Sequence, residues 1–367
     1  MLNVGAVIDH LERLCPPRLA ADWDNVGLLL GDRAGAVGRI MTCLTLTPEV
    51  TAEAVERRVD LIVTHHPILF RATKRFNADT PDGRMILQLA RAGVSVYSPH
   101  TAFDNATEGI NAQLARSLGL TDVVPLRRGA GAKQVKLVVF VPDKDLAKVS
   151  DAVFAAGAGR IGEYSECSYR LSGTGTFFGS DATNPTVGEK GRREEVSEWR
   201  LEVVCPESLT GAVVAAMRQA HSYEEPAYDV YPLAPAPGKA GSGRVGMLPA
   251  PAPLGQLAAA VRQALGSGPV QVVGDPDRPV RRVAVACGAA GSLLGEAVRA
   301  RAEAFLTGEM SFHDCQAARA QGVGLVLPGH YATERCGVEE LVDRIKGEFP
   351  ALEVWASRAE RDPVGWA

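Results

Sequence analysis

"DLIVTHHPILF", Asp60 to Phe70, is an apolar run that stops at two adjacent histidines and a proline. Neighbours in a regular strand point to opposite faces, and Pro67 biases His66 toward an extended or turn conformation. Where the chain leaves the strand path, two such imidazoles diverge. They are poorly placed to chelate one ion together and well placed to hold one ion each.

The same pattern recurs near the other end of the chain. "EAVERRVDLIVTHH" (Glu53 to His66) lies without a gap over "EAVRARAEAFLTGE" (Glu296 to Glu309). "RIMTCL" and "RVAVAC" are strand-like runs upstream of each copy. Downstream, "ARAGVSVYSPHT" (Ala90 to Thr101) resembles "ARAQGVGLVLPGH" (Ala318 to His330), with one extra residue in the second. Each copy reads strand, helix, strand, loop, helix, strand. Such alternation predicts largely parallel sheets covered by helices, here a duplicated, three-layer α/β core.

Ligands of parallel α/β units collect beyond the carboxyl ends of the strands. Four such ends carry His65 and His66; His100 and Asp104; Glu309 and His313; and His330 and Glu334. Only His10 and His221, of the 7 histidines, fall elsewhere, and they read as ordinary surface or core residues. Imidazole with carboxylate suits zinc, iron or manganese. His330 and Glu334, four apart at the start of a predicted helix, project from one face. The expected metal ligands are therefore His65, His66, Asp104, His330 and Glu334, holding two divalent ions per chain. Asp104 or Glu334 can bridge two ions. Glu309, His313 and His100 are the acid/base candidates.

The totals narrow the class. The chain has 367 residues, 46% hydrophobic and 22% charged, which predicts two or three domains of an ordinary globular protein. A formal charge of −4 argues against nucleic acid as the main partner. The 7 cysteines are scattered without a C-x-x-C pair, which favours reduced thiols and a cytoplasmic location. "MLNVGAVIDHLERLCPP" reads as an amphipathic helix ended by Pro16 and Pro17, not as a signal peptide. No apolar run is long enough to span a bilayer. "GAGRIG" (Gly157 to Gly162) follows a helix and precedes a strand, the reverse of a dinucleotide fingerprint, and reads as a turn.

Between the copies lies extra chain, bounded by the Gly/Ala/Pro-rich stretches "LRRGAGAK" (Leu126 to Lys133) and "APAPGKAGSGR" (Ala234 to Arg244), which read as connectors. Its elements run β-α-β-β-α-β, the ferredoxin-like order. The expected domains are 1–129 and 244–367 for the two halves of the metal-binding core, and 130–243 for an inserted α+β domain.

"WDNVGLLLGD" (Trp23 to Asp32), "THHP", "HTAFDNATEGIN", "LTGEMSFHD" and "GHYATER", in that order, resemble the family of GTP cyclohydrolase 1 type 2 homologues. The middle segment, with "IGEYSECSYRLSGTGTF" and "HSYEEPAYDVYPL", is similar to the domain inserted in its longer bacterial members, itself akin to trimeric copper-tolerance and PII signalling proteins. The resemblance implies a dinuclear site on the five ligands above and a hexameric toroid with the sites facing an inner cavity. Where the family has "D-x-x-x-G-G-x-N", this chain has "DNATEGIN", with Glu108 replacing the first glycine. The expected function is a metal-dependent hydrolase acting on a nucleotide-like or phosphoester substrate. The alternative is a metal-bound regulatory or scaffold protein that senses a small ligand through the inserted domain. Neither expects a membrane partner.

Overall fold

The structure is a computed structural model that describes residues 2–131, 133–234 and 237–365. Contacts divide the chain into two units, one formed by Met1–Gly129 with Lys239–Ala367 and the other by Ala130–Gly238. No helix among the described residues is long and apolar enough to cross a membrane.

The first unit opens with helix α1 (Val4–Leu14), whose first turn is capped by the Asn3 side chain. Strands β1 (Gly27–Leu30) and β2 (Arg39–Cys43), helix α2 (Pro48–Glu56), strand β3 (Leu61–Thr64), helix α3 (Pro81–Arg91) and strand β4 (Ser95–Ser98) follow. The short helices α4 (His100–Asn105) and α5 (Ile110–Ser117) complete this half, and β5 (Thr121–Ala130) leaves it.

The second unit runs β6 (Gln134–Pro142), α6 (Leu146–Ala155), β7 (Tyr169–Phe178), β8 (Arg193–Pro206), α7 (Thr210–Ala220) and β9 (Tyr228–Pro232). Its sheet order is β7-β8-β6-β9, all neighbours antiparallel. One face of that sheet packs Leu137, Val139, Leu201 and Val203 against Val149, Val153, Val213 and Met217 of α6 and α7.

The chain returns to the first unit through β10 (Pro237–Pro253) and helix α8 (Leu254–Leu265). Strand β11 (Gln271–Val273), β12 (Pro279–Ala286), helix α9 (Leu294–Arg299), β13 (Ala304–Thr307), helix α10 (Phe312–Ala320), β14 (Gly324–Leu327), helix α11 (His330–Glu348) and β15 (Glu353–Ala356) follow. The two sheets have orders β1-β4-β3-β2-β15 and β11-β14-β13-β12-β10-β5. Both contain three consecutive parallel strands ending at an antiparallel one, β2, β3, β4 with β1 and β12, β13, β14 with β11; β15 adds a fourth parallel strand beside β2, whereas β10 runs antiparallel beside β12.

Alternation within these short strands sets the layers. Leu61, Val63, Val285 and Leu306 face one core shared with Ile8, Leu114, Val261 and Ile345 from α1, α5, α8 and α11. Ile62 and Val96 face outward to Val50 of α2 and Leu89 of α3, while Ala284 and Phe305 face outward to Ala297 of α9 and Ala318 of α10. The inner helices are thus common to both sheets.

The two glycine-rich stretches expected as connectors instead contribute to strands β5 and β10. Their glycines permit close backbone approach rather than flexibility. A Cβ on Gly241 would stand 2.3 Å from the Arg127 carbonyl oxygen. The parts of those stretches at Ala132, Pro235 and Ala236 lie outside the described residues.

A shared device opens the second strand of each half. Asp60 Oδ2 accepts the Gly38 and Arg39 amides at 2.8 Å each, and Glu303 Oε2 accepts those of Arg281 and Arg282 at 2.6 and 2.9 Å. Two residues earlier, Arg58 and Arg301 both adopt left-handed backbone, φ +53° and +54°. Asp60→Ala and Glu303→Ala should therefore cost similar amounts, about 1–2 kcal/mol each for loss of a charged acceptor. Urea unfolding midpoints check this.

Candidate functional site

His65 and His66 follow β3 directly, and their backbone amides remain tied to the end of β2 and the residue after it, donating to the carbonyls of Cys43 (2.9 Å) and Leu44 (2.8 Å). Their ring centroids lie 5.2 Å apart at 51°. The two imidazoles do not point to opposite sides of a sheet; they straddle one carboxylate. His65 Nε2 is 3.9 Å from Glu334 Oε1, and His66 Nε2 is 3.0 Å from Glu334 Oε2.

Glu334 reaches them from the first turns of α11. His330, one turn earlier on the same face, places Nε2 3.1 Å from Glu334 Oε2. Asp104 stands on the other side of His65, with Oδ1 3.5 Å from His65 Nε2. His100 and Asp104 on α4 have the same four-residue spacing as His330 and Glu334 on α11. The His100 ring lies 5.2 Å from that of His65 and 5.6 Å from that of His66. Potential ligand atoms of His65, His66 and His100 form one tight group, and those of His66, His330 and Glu334 a second. Both groups are spaced to hold a metal ion.

Two candidates sit outside this centre in different ways. Glu309 touches it indirectly: its Oε1 is 3.0 Å from His330 Nδ1, which leaves His330 Nε2 toward Glu334. His313, on α10, is exposed and meets Phe312 edge-on, with ring centroids 5.7 Å apart. No hydrogen bond or ion pair among the described residues joins it to the cluster.

Several contributors were not among the expected site residues, although Asp24 and Asn111 lie inside the motifs quoted above. The Asp24 side chain, shielded from solvent, places Oδ1 2.7 Å from His100 Nδ1 and accepts the Thr101 amide and hydroxyl. His100 itself has φ +26°, a strained conformation of the kind found at functional sites. Cys287 Sγ donates to Asp104 Oδ1 at 3.2 Å, and Asn111 accepts the Cys287 amide at 2.8 Å. Gly288, at φ +63°, is where Glu334 approaches the backbone: a Cβ there would lie 2.3 Å from Glu334 Oε1. These residues are scattered singly along the chain, and only the fold brings them together.

Burial and charge set the protonation pattern. Burial holds the His65 imidazole down to about 3 against the pull of Glu334, so it is neutral, the form that binds metal. Both of its ring nitrogens are buried without a hydrogen-bond partner. Burial alone would push Glu334 up, but hydrogen bonds to His330 and His66 outweigh it and hold the carboxyl well below the ordinary range. The hydrogen bond to Glu334 raises His330 to about 9 against burial. Burial would lower His100, but its bond to Asp24 raises it. Burial and the Glu334 charge push Asp104 up to about 7.

A cavity of about 940 Å³ opens on the cluster, with Trp23, Phe70, His100, Asp104 and Glu334 in its wall. A second, of about 490 Å³, reaches His66, His330 and Glu309 past Glu360 and Pro363 near the C-terminus.

The Asp104 shift has a direct consequence for the metal-free protein. The folded state keeps a proton on Asp104 up to about pH 7, whereas the unfolded chain loses it near pH 4. Between those values the folded state binds more protons, so this group's contribution to stability falls as pH rises. Asp104→Asn should therefore gain stability relative to wild type between pH 4 and 7, and chelator-treated samples unfolded in urea across that range check it.

The Duf34/NIF3 (NGG1p interacting factor 3) family model matches residues 2–363. A Mycobacterium tuberculosis relative called GTP cyclohydrolase 1 type 2 homolog is 39% identical over 355 residues, 95% of this chain and 93% of the relative. One of the same name from Halalkalibacterium halodurans is 37% identical, with 98% of each chain covered. A solved Bacillus cereus protein related to NIF3 superposes with TM-score 0.83 at 34% identity, over 100% of this chain and 99% of that one. The chain belongs to the Duf34/NIF3 family.

Proposed function

We propose that this protein is a metal-dependent hydrolase with a dinuclear centre, acting on a nucleotide-like or phosphoester substrate. The observation that carries the reading is His65: a neutral, buried imidazole with neither ring nitrogen hydrogen-bonded, set between Asp104 and Glu334. An unpartnered buried polar atom is costly, and an ion at that position would satisfy it. His65, His66, Asp104, His330 and Glu334 would hold the ions, with the two Glu334 oxygens facing different imidazoles.

Zinc, iron or manganese all suit this donor set. Bound there, the ions would supply an activated water and polarise the bond under attack. The chain's own groups would do the rest. Asp24 orients His100, whose free Nε2 can pass a proton at the edge of the larger cavity. Glu309 fixes the His330 ring. Trp23 and Phe70, ring centroids 5.8 Å apart in an edge arrangement, offer apolar surface to a flat base. The relatives' name points to a guanine nucleotide, with ring opening at C8 as the corresponding chemistry.

The core reads as a duplication, supported by the matched sheet orders and by the paired Asp60 and Glu303 devices. The middle segment reads as an inserted ferredoxin-like domain. Its sheet order supports this, as does the pairing of Val135 with Pro232, which brings the segment's ends together. A homohexamer in the cytoplasm fits the family resemblance and the seven free cysteines.

One observation favours a regulatory reading. The middle unit holds a cavity of about 750 Å³, lined by Phe140, Leu171, Arg200 and Tyr223 among others. The buried Tyr223 hydroxyl has no hydrogen-bond partner. A small ligand sensed there would make the metal centre structural.

Reconstituted protein should hold two divalent ions per chain by elemental analysis. Glu334→Gln should lose metal, and Glu309→Gln should keep it. Metal-dependent turnover of GTP or a generic phosphoester, abolished in His65→Ala, supports the hydrolase. A fully loaded protein inert to both classes, yet binding a small ligand in the middle unit, would overturn it in favour of the regulator.

A further inference from the structure

We propose that Glu360, near the C-terminus, is a positioning residue for the metal centre and acts through Thr45 on His66. The inference rests on the dinuclear reading above and concerns groups that do not themselves touch an ion.

The C-terminal segment is held in a specific path. Beyond β15, the Ser357 amide donates to the Thr42 carbonyl at 2.7 Å, extending the pairing with β2. Glu53 on α2 then accepts the Ser357 hydroxyl (2.7 Å) and the Arg358 and Ala359 amides (3.0 Å each). That turn sends Glu360 inward. Its side chain is buried, although residues 361–364 after it are exposed.

Glu360 ends on the part of the chain that frames the histidine pair. Its Oε2 accepts the Leu44 amide at 2.9 Å and the Arg335 guanidinium, and its Oε1 accepts the Thr45 amide at 2.6 Å. Both amides lie just past the end of β2, where strand pairing gives out. Arg335 adjoins Glu334 in α11 and also holds the Ser357 carbonyl at 3.1 Å. One carboxylate therefore ties the loop after β2 to the helix that carries Glu334 and His330.

The loop passes this order to His66 by two bonds. The Leu44 carbonyl accepts the His66 amide at 2.8 Å, and Thr45 Oγ1 lies 2.7 Å from His66 Nδ1. Without an ion, Nε2 donates to Glu334 Oε2 at 3.0 Å; with an ion in place of that hydrogen bond, Nδ1–H donating to the Thr45 hydroxyl would leave the Nε2 lone pair for the metal. A ligand imidazole needs its far nitrogen occupied in this way to fix its tautomer and ring plane. Glu309 does this for His330; Thr45, fixed by Glu360, does it for His66.

A purely structural clamp predicts something different. Thr45 is exposed, so losing its hydroxyl should barely change stability, while the tautomer control should be lost. Zinc titration against a chromophoric chelator tests this on the full-length chain, beside thermal unfolding of the metal-free form. Thr45→Val should weaken one of two zinc sites by about 10–100-fold with an unchanged melting temperature. Thr45→Ser should restore the affinity. Glu360→Gln should weaken the same site, whereas Glu303→Ala, which lowers stability in the other half of the core without touching Glu360 or Thr45, should spare the affinity. Two wild-type-affinity sites in Thr45→Val, or equal loss in Glu303→Ala and Glu360→Gln, would overturn the positioning role alone. A wild-type protein that takes up no zinc would overturn the metal reading beneath it as well.

Discussion

A nearly buried carboxylate facing three imidazoles is the constraint around which this core is arranged. Glu334 is 4% exposed. A carboxylate taken out of water must be compensated by charge and hydrogen bonds, or its cost falls on folding. His66 and His330 supply two contacts to one oxygen, and His65 faces the other. That requirement fixes how β3 ends, where α11 begins, and why Gly288 has no side chain. Were any of the three displaced, the same buried charge would be left short of partners.

The two halves of the core solve the same backbone problem with different side chains at the end. Each places a helix after its last parallel strand and puts a histidine and an acid four residues apart on it, His100 with Asp104 and His330 with Glu334. At the preceding strand end one half has His65 and His66, while the other has Gly308 and Glu309. Gly308 leaves no room for a side chain there, since a Cβ would lie 2.7 Å from the His330 Cα. A symmetrical scaffold thus yields one asymmetric centre, with the helix of the second half closing over the histidines of the first.

The centre is also layered outward. Asp24 behind His100, Glu309 behind His330 and Thr45 behind His66 each occupy the ring nitrogen that faces away from the cluster. Such partners decide ring orientation and tautomer, and they come from three separate segments. The sides of the cluster differ as well. Aromatic Trp23 and Phe70 border the larger cavity, and polar chain near the C-terminus borders the smaller.

Much of this was legible in the sequence for a simple reason. Strand and helix periodicity, the turn after each strand and the four-residue spacing of His330 and Glu334 are local, so Asp60 to Phe70 and its counterpart at Glu303 announced the parallel strands and the ends where ligands gather. The same logic misread Leu126–Ala130 and the residues after Pro237, because glycine marks flexibility and close strand contact alike. It placed His313 beside the centre, whereas the turn opening α10 leaves that ring on the surface. It passed over Asp24, Thr45, Cys287, Gly288 and Glu360, each a common residue type with no repeating pattern. The sequence by itself determined which elements form and which strand ends carry imidazole and carboxylate, since those follow from neighbours along the chain. Only the tertiary structure decided that His65 and His66 share Glu334, that His100 joins them, and that Glu360 closes on Thr45. Those contacts join residues up to 315 positions apart, and they are set by how helices and sheets pack rather than by any local preference.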